Sequence, residues 1–356
     1  MAVPDVQLLQ RPRITVRDCH HQFHIRLWGE AHLAPQFRVM GLAPKSAYAR
    51  QAITGCCRQL TSRGQIITPR AHARVNIPRM PHNTRLLVAE DRTAVAQIIL
   101  DSFGALDTRH DVPTYLANIE EAREVAAHLF GLPKVRGFGI DDDGQLVGLG
   151  FLHDLGDVGM GISPLAVTPA SQARGVGQVI LDHMIEEAGN RSIRLLQDAF
   201  NNSTLALYAR YGFVVREQLT CVTGQPADAS VNAWRARATG DAARAEALHR
   251  RVMGFDRPSF PTTPIVTKHD GELDGFIAPG TEYPFAIAER ESTLKDLIRA
   301  IAQEFDKPVT LAIPAAHTDT LRWMLDHHGR VIRSMNLMVR GTYARPDGAR
   351  LNSGSY

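Results

Sequence analysis

The amino-acid sequence predicts an α/β fold, present twice in tandem. Three observations point to it. From residue 84 onward, apolar runs of strand length alternate with longer stretches carrying an apolar stripe at helical spacing. A stretch rich in Pro, Asp and Ser, Gly224 to Ser230, divides that region like a linker. Beyond it the landmarks recur. Gly212, Val214, Arg216, Val222 and Gly224 match Gly329, Val331, Arg333, Val339 and Gly341, all at an offset of 117.

Residues 1–79 precede this pattern and show neither period. They carry twelve Lys/Arg against three acids, a balance of +9, whereas the remaining residues balance at −6 and the whole chain at +3. The expectation is a basic, disordered N-terminal extension, with Met80 as a candidate start of the folded part. Because the excess of base is confined there, nucleic acid is not an expected partner of the main body. No apolar run reaches the ~18 residues of a membrane span, and the first twenty residues lack a signal-peptide core, so the expected location is cytoplasmic. Four cysteines, with Cys56 and Cys57 adjacent and no CxxC pair, do not make a disulfide or zinc framework. Cys19, His20, His21 and His24 lack a second ligand pair, and no metal site is expected.

Thr84 to Glu90 reads as a strand, and Asp91 is placed to cap a helix whose stripe is Val95, Ile98, Ile99 and Phe103, with Gly104 as its end. A second helix is expected from about Pro113 to Phe130. Val135 to Asp141 and Gln145 to His153 read as strands joined by the hairpin signal Asp143-Gly144. Val158 to Val167 is a further strand. A helix beginning near Arg174 carries Val176, Val179, Ile180, Met184 and Ala188 on one face. A short strand Ile193 to Gln197, a helix Ser203 to Arg210 and a strand Gly212 to Thr223 complete the first copy. Residues 231–345 are expected to be a degenerate second copy, 33 residues shorter between its landmarks and without a counterpart of the glycine turn. Trp234, Trp323 and the Met335–Met338 region are expected in its core.

That turn is Gln172-Ala-Arg-Gly175-Val-Gly177, between a strand and an amphipathic helix. Glycines let backbone approach an anion closely, and the unpaired N–H groups of a helix's first turn, with its dipole, hold a phosphate. Alone, the signal is weak. A dinucleotide turn wants a third glycine where Ile180 stands, and a P-loop wants Lys-Ser/Thr where Gln178 stands.

The context carries more. Leu165-Ala166-Val167-Thr168-Pro169, the glycine turn, Asn201 seven residues before Tyr208, and Gly212-Phe213 form a succession that resembles the GNAT N-acetyltransferase superfamily. The resemblance implies the acyl-CoA N-acyltransferase fold, a mixed twisted sheet flanked by helices, with residues 80–224 as the catalytic domain. It implies acetyl-CoA as cosubstrate, with Leu165, Ala166 and Val167 along its pantetheine arm. Gln172, Ala173, Arg174, Gly175, Val176, Gly177 and Gln178 would surround the pyrophosphate, and Asn201 would bond the arm. Tyr208 would act as general acid toward the departing thiolate. The acceptor is expected to be a primary amine of a small molecule, attacked directly. A non-catalytic acyl-CoA sensor and a protein N-acetyltransferase are the alternatives. Asp154 and Asp198, on strand ends, are candidate bases; solvated positions are expected for both. The sequence does not name the acceptor or the oligomeric state.

Overall fold

The hydrophobic alternation of the first half resolves into one sheet with helices on both faces. The computed structural model describes residues 84–226, 233–235, 239–255, 257, 260–278 and 283–353. The basic extension and its Cys/His cluster therefore lie outside the described residues.

Strands β1 (Arg85–Leu86), β2 (Val135–Asp142), β3 (Gln145–Asp154), β4 (Met160–Val167) and β5 (Ile193–Asp198) lie in that order in the sheet. β1 to β4 pair antiparallel, and β4 with β5 parallel. Helices α1 (Arg92–His110) and α2 (Ile119–Gly131) cover one face, burying Val95, Ile98, Ile99 and Leu129 against Leu149 and Phe151. Helix α3 (Val176–Ala188) covers the other, burying Ile180, Leu181 and Met184 against Phe138, Leu152 and Ile162. Each such side chain contributes roughly 1.5–3 kcal/mol by leaving water. Helix α4 (Asn202–Arg210) follows β5. The approach of α3 requires glycine on β3. A Cβ at Gly148 would sit 2.5 Å from Val176 Cγ1, and one at Gly150 2.8 Å from Ile180 Cγ2.

Local expectations fare unevenly. The Asp143-Gly144 hairpin is present, both residues having positive φ as a type I′ turn needs. The strand expected over Thr84–Glu90 is two residues long and gives way to a 3-10 turn, Ala89–Asp91. Asp91 does not cap α1 with its side chain; its carboxylate is held by Arg85 instead. Nor does Gly104 end α1, which runs six residues further to an αL cap at Asp111. No atom lies within 4 Å of where its Cβ would be, so this glycine is tolerated in mid-helix.

After the linker come β7 (Ala233–Arg235), α5 (Thr239–Met253), β8 (Ile265–His269), β9 (Glu272–Ala278), β10 (Phe285–Ala288), α6 (Glu291–Phe305), β11 (Val309–Pro314), α7 (Thr318–Asp326), β12 (Arg330–Arg340) and β13 (Ala349–Leu351). β7 to β10 and β13 form a second antiparallel sheet, ordered β13-β10-β9-β8-β7. One of its faces is buried by α5 and the other by α6.

The last strands of the two halves do not stay at home. β12 enters the first sheet between β5 and β6 (Val214–Gly224), so the order there is β1-β2-β3-β4-β5-β12-β6-β11. β12 runs antiparallel to β5, with Met335 opposite Asp198, and antiparallel to β6. β6 in turn pairs with β11. Met335 and Met338 are thus not core of the second half. Met338 packs with Ile193 and Tyr208, and Met335 with Leu219 and Tyr115. Trp323 does pack against the second half's core, on α6.

Candidate active site

β4 and β5 pair only from Met160↔Ile193 to Ile162↔Leu195 and then diverge. A register shift on β4 between its Gly150 and Leu152 pairings accompanies the divergence. The opening is a cleft of about 580 Å³, lined by Leu165, Ala166, Val167, Gln172, Ala173, Gly175, Val176, Gly177, Gln178, Asn201 and Tyr208 among others. Apart from Arg174 and the candidate base Asp154, the residues nominated from the sequence line this cleft, although they span more than forty positions.

Backbone direction explains what the strand offers. Thr168 N–H is bonded to Val147 O on β3. Because backbone groups alternate sides along a strand, those of Leu165 and Val167 face the cleft. The Val167 carbonyl already accepts from Ser102 Oγ at 2.8 Å and Gln172 Nε2 at 3.1 Å. Gln172 therefore spends its amide on bracing the turn.

The turn itself bends through two left-handed residues, Ala173 at φ +62° and Gly175 at φ +87°. Intrahelical bonding begins with Gln178 and Val179 donating to Gly175 O. Among the described residues, no hydrogen bond uses the N–H groups of Arg174, Gly175, Val176 or Gly177. Side-chain bulk is absent too. A Cβ at Gly175 would meet nothing nearer than Gln178 Oε1 at 3.8 Å, and one at Gly177 only Val167 Cγ2 at 3.6 Å. Four free donors around open space at a helix start are a ready anion cradle. Arg174 turns away, to Asp142 on β2 at 3.0 Å, and its side chain is 43% exposed.

Tyr208, on α4, is 7% exposed and packs on Phe213 with ring centroids 5.7 Å apart. Its hydroxyl has no hydrogen bond among the described residues. Burial drives its pKa above the ordinary phenol value. Asn201 is the α4 N-cap, its Oδ1 accepting from Thr204 N at 3.3 Å and Ser203 Oγ at 2.8 Å. Its carbonyl is held by Gln197 Nε2 at 2.9 Å, and Gln197 is held in turn by Asn336 of β12.

The two candidate bases separate. Asp154 is exposed and paired with Arg191, outside the cleft. Asp198 lines the cleft and, contrary to expectation, is only 9% exposed. Its Oδ1 accepts from Tyr115 Oη at 2.8 Å and from Arg333 Nη1 at 3.4 Å. Arg333 also pairs with Asp107 at 3.3 Å, donates to Pro113 O, and lies 3.5 Å over the Tyr115 ring. Desolvation raises the pKa of Asp198, and Arg333 opposes that rise; the same two causes act on Asp107. Tyr115, Asp107 and Arg333 were not nominated from the sequence. The bulge between Val331 and Arg333 on β12 sets the register of Arg333 relative to β6. No local spacing links a residue there to one 135 positions earlier.

Residues 133–215 match a family model described as an acetyltransferase (GNAT) domain. No curated protein matches the chain. Among solved structures, a Pyrococcus horikoshii protein assigned as an acetyltransferase is 14% identical with a TM-score of 0.57, covering 79% of this chain and 97% of its own. A GCN5-related N-acetyltransferase from Sphaerobacter thermophilus is 14% identical with a TM-score of 0.53, covering 75% and 98%. At that identity the likeness is one of fold, and it extends over both halves of the described chain. Among the described residues, no helix is long and apolar enough to cross a membrane, and no group of His, Cys, Asp and Glu is arranged to hold a metal.

Proposed function

We propose, from the premise that residues 133–215 carry a GNAT acetyltransferase domain and the chain is an acetyl-CoA-dependent N-acyltransferase, that the acceptor is a primary amine of a small molecule. The observation that carries this reading is the continuity of one cleft, from the free amides at Gly175 past the open edge of β4 to Tyr208 and Asp198. A cleft walled by α1, Tyr115 and β12 favours a compact acceptor over a protein chain.

Acetyl-CoA supplies an acetyl group activated as a thioester. The N–H groups of Arg174 to Gly177 hold its pyrophosphate, and Leu165 and Val167 hold the pantetheine arm as an added strand. Asn201 contributes its Nδ2, because Oδ1 is committed to the cap. Val167 N–H donates to the thioester oxygen as negative charge develops, a contribution of a few kcal/mol in comparable sites. Tyr208 gives its proton to the sulfur. Its raised pKa keeps it loaded across the working pH range, and the dry wall that raises it raises the thiolate's basicity as well.

Residues 80–224 and 231–345 are read as two copies of one fold that exchange their last strands. Support comes from the offset of 117 and from the common order of strands and helices. In the second copy, β13 occupies the place beside β10 that corresponds to the open edge of β4, and bridges to β11 through Ala312 and Asn352. With its cleft filled and no glycine turn, the second copy is assigned a structural role.

The experiment is thiol release from acetyl-CoA over a panel of small amines, with CoA affinity measured by calorimetry. Amine-dependent release supports the reading. Tight CoA binding with no release on any amine favours an acyl-CoA sensor instead. A smaller test concerns Arg174. An exposed ion pair is worth about 0–1 kcal/mol, so Asp142→Asn should free the guanidinium and raise CoA affinity by up to about fivefold. Unchanged affinity would leave Arg174 without a part in binding.

A further inference from the structure

We infer that the acceptor docks as an ammonium ion on Asp198 Oδ2, and that Arg333, delivered by β12 from the other half of the chain, is the positioning residue that holds Asp198 for it. This rests on the proposed function and names its substrate class.

Asp107 and Asp198 are both buried, at 1% and 9% exposure, and share the single buried guanidinium of Arg333. Two carboxylates against one cation leave a net negative wall, and a second cation is the natural complement. The charged and titratable neighbours from every packed element are Asp107, Arg109 and His110 of α1, Tyr115 before α2, Tyr283 before β10, and Arg333. Arg109 and His110 are exposed and therefore screened, so they do not reverse the sign.

Geometry then selects the atom. Both hydrogen bonds to Asp198 fall on Oδ1. Among the described residues none reaches Oδ2, although the side chain lines the cleft and is more than nine-tenths buried. A carboxylate oxygen so placed lacks a donor, which an ammonium group provides. The walls beside it, Phe103, Leu106 and Met335, are apolar. The acceptor is accordingly a primary ammonium on a short apolar stem.

Asp198 takes one proton from the ammonium and passes it to solvent. The free amine's nitrogen bonds to the acetyl carbon as the C–S bond breaks, and the sulfur takes the proton of Tyr208. A second proton leaves nitrogen and restores Tyr208, so that one proton is released per amide and thiol formed. Amine binding requires the carboxylate form of Asp198. It is lost on acidification through the raised pKa of this group, at a higher pH than an ordinary aspartate would set.

The test uses the full chain saturated with CoA, titrated calorimetrically with n-butylamine and, as its neutral counterpart, 1-butanol. The expected result is binding of the amine well above the alcohol, lost by about tenfold or more in Asp198→Asn. Tyr115→Phe removes one hydrogen bond to Oδ1 and should cost the amine about tenfold while CoA affinity is unchanged. Arg333→Gln should behave likewise, with Arg333→Lys recovering part of the loss. If Arg333→Gln fails to fold, Tyr115→Phe carries the test. Equal affinity for amine and alcohol, or amine binding unchanged in Asp198→Asn and Tyr115→Phe, overturns the inference alone. Absence of CoA binding in the unaltered protein overturns this inference and the proposed function together.

Discussion

Gly175→Glu is expected to lose CoA binding by about a thousandfold, roughly 4 kcal/mol, while the protein still folds. Two costs combine. At φ +87° any L side chain is strained, at about 1–2 kcal/mol. The larger cost is electrostatic, since a carboxylate would stand where four free N–H groups otherwise meet a diphosphate. Space is not the obstacle, because nothing but Gln178 Oε1 lies within 4 Å of the new Cβ. Gly175→Ala separates the two terms: it keeps the strain without the charge and should cost CoA about tenfold. Calorimetry decides. A glutamate variant that binds CoA like the unaltered protein would remove the turn from the cofactor site.

Tyr208→Phe is expected to lower turnover by about 10²–10⁴, the usual contribution of general acid catalysis, and to change little else. The ring's contact with Phe213 survives the substitution, and no hydrogen bond among the described residues is lost with the hydroxyl. Melting temperature and CoA affinity should therefore hold. That combination distinguishes chemistry from packing, which would move stability first. Full turnover in the variant would exclude Tyr208 as the acid and leave the proton to a water or another wall of the cleft.

The glycine turn and the helix start beside the cleft were legible because their signals are local. Gly175 stands in the left-handed region at the start of α3, and Asn201 precedes a helix that needs a cap. The stripe Val176, Ile180, Met184 and Ala188 places α3 against the sheet. Local signals also misled: Gly104 reads as a helix stop, yet a glycine inside a helix costs only about 1 kcal/mol, and packing of α1 on Leu149 and Phe151 overrides it. Asp198 reads as a solvated strand end because its burial comes from Tyr115 and Arg333, neither of them near it in sequence.

Periodicity and backbone freedom within a few residues determined most of the elements of residues 84–224, their order, and the glycine turn that opens α3. The tertiary structure alone decided which strand borders β5. β6 and β12 carry the same pattern, Gly212-x-Val214 and Gly329-x-Val331 with matching Arg and Val beyond, so either satisfies the alternation demanded by a half-buried sheet edge. Strand pairing is settled by which edge closes with the better packed core, an energy summed over both halves. That choice brought Met335 to the cleft and set Arg333 against Asp198 and Asn336 against Gln197, so the wall of the cleft is a joint product of residues more than 130 positions apart.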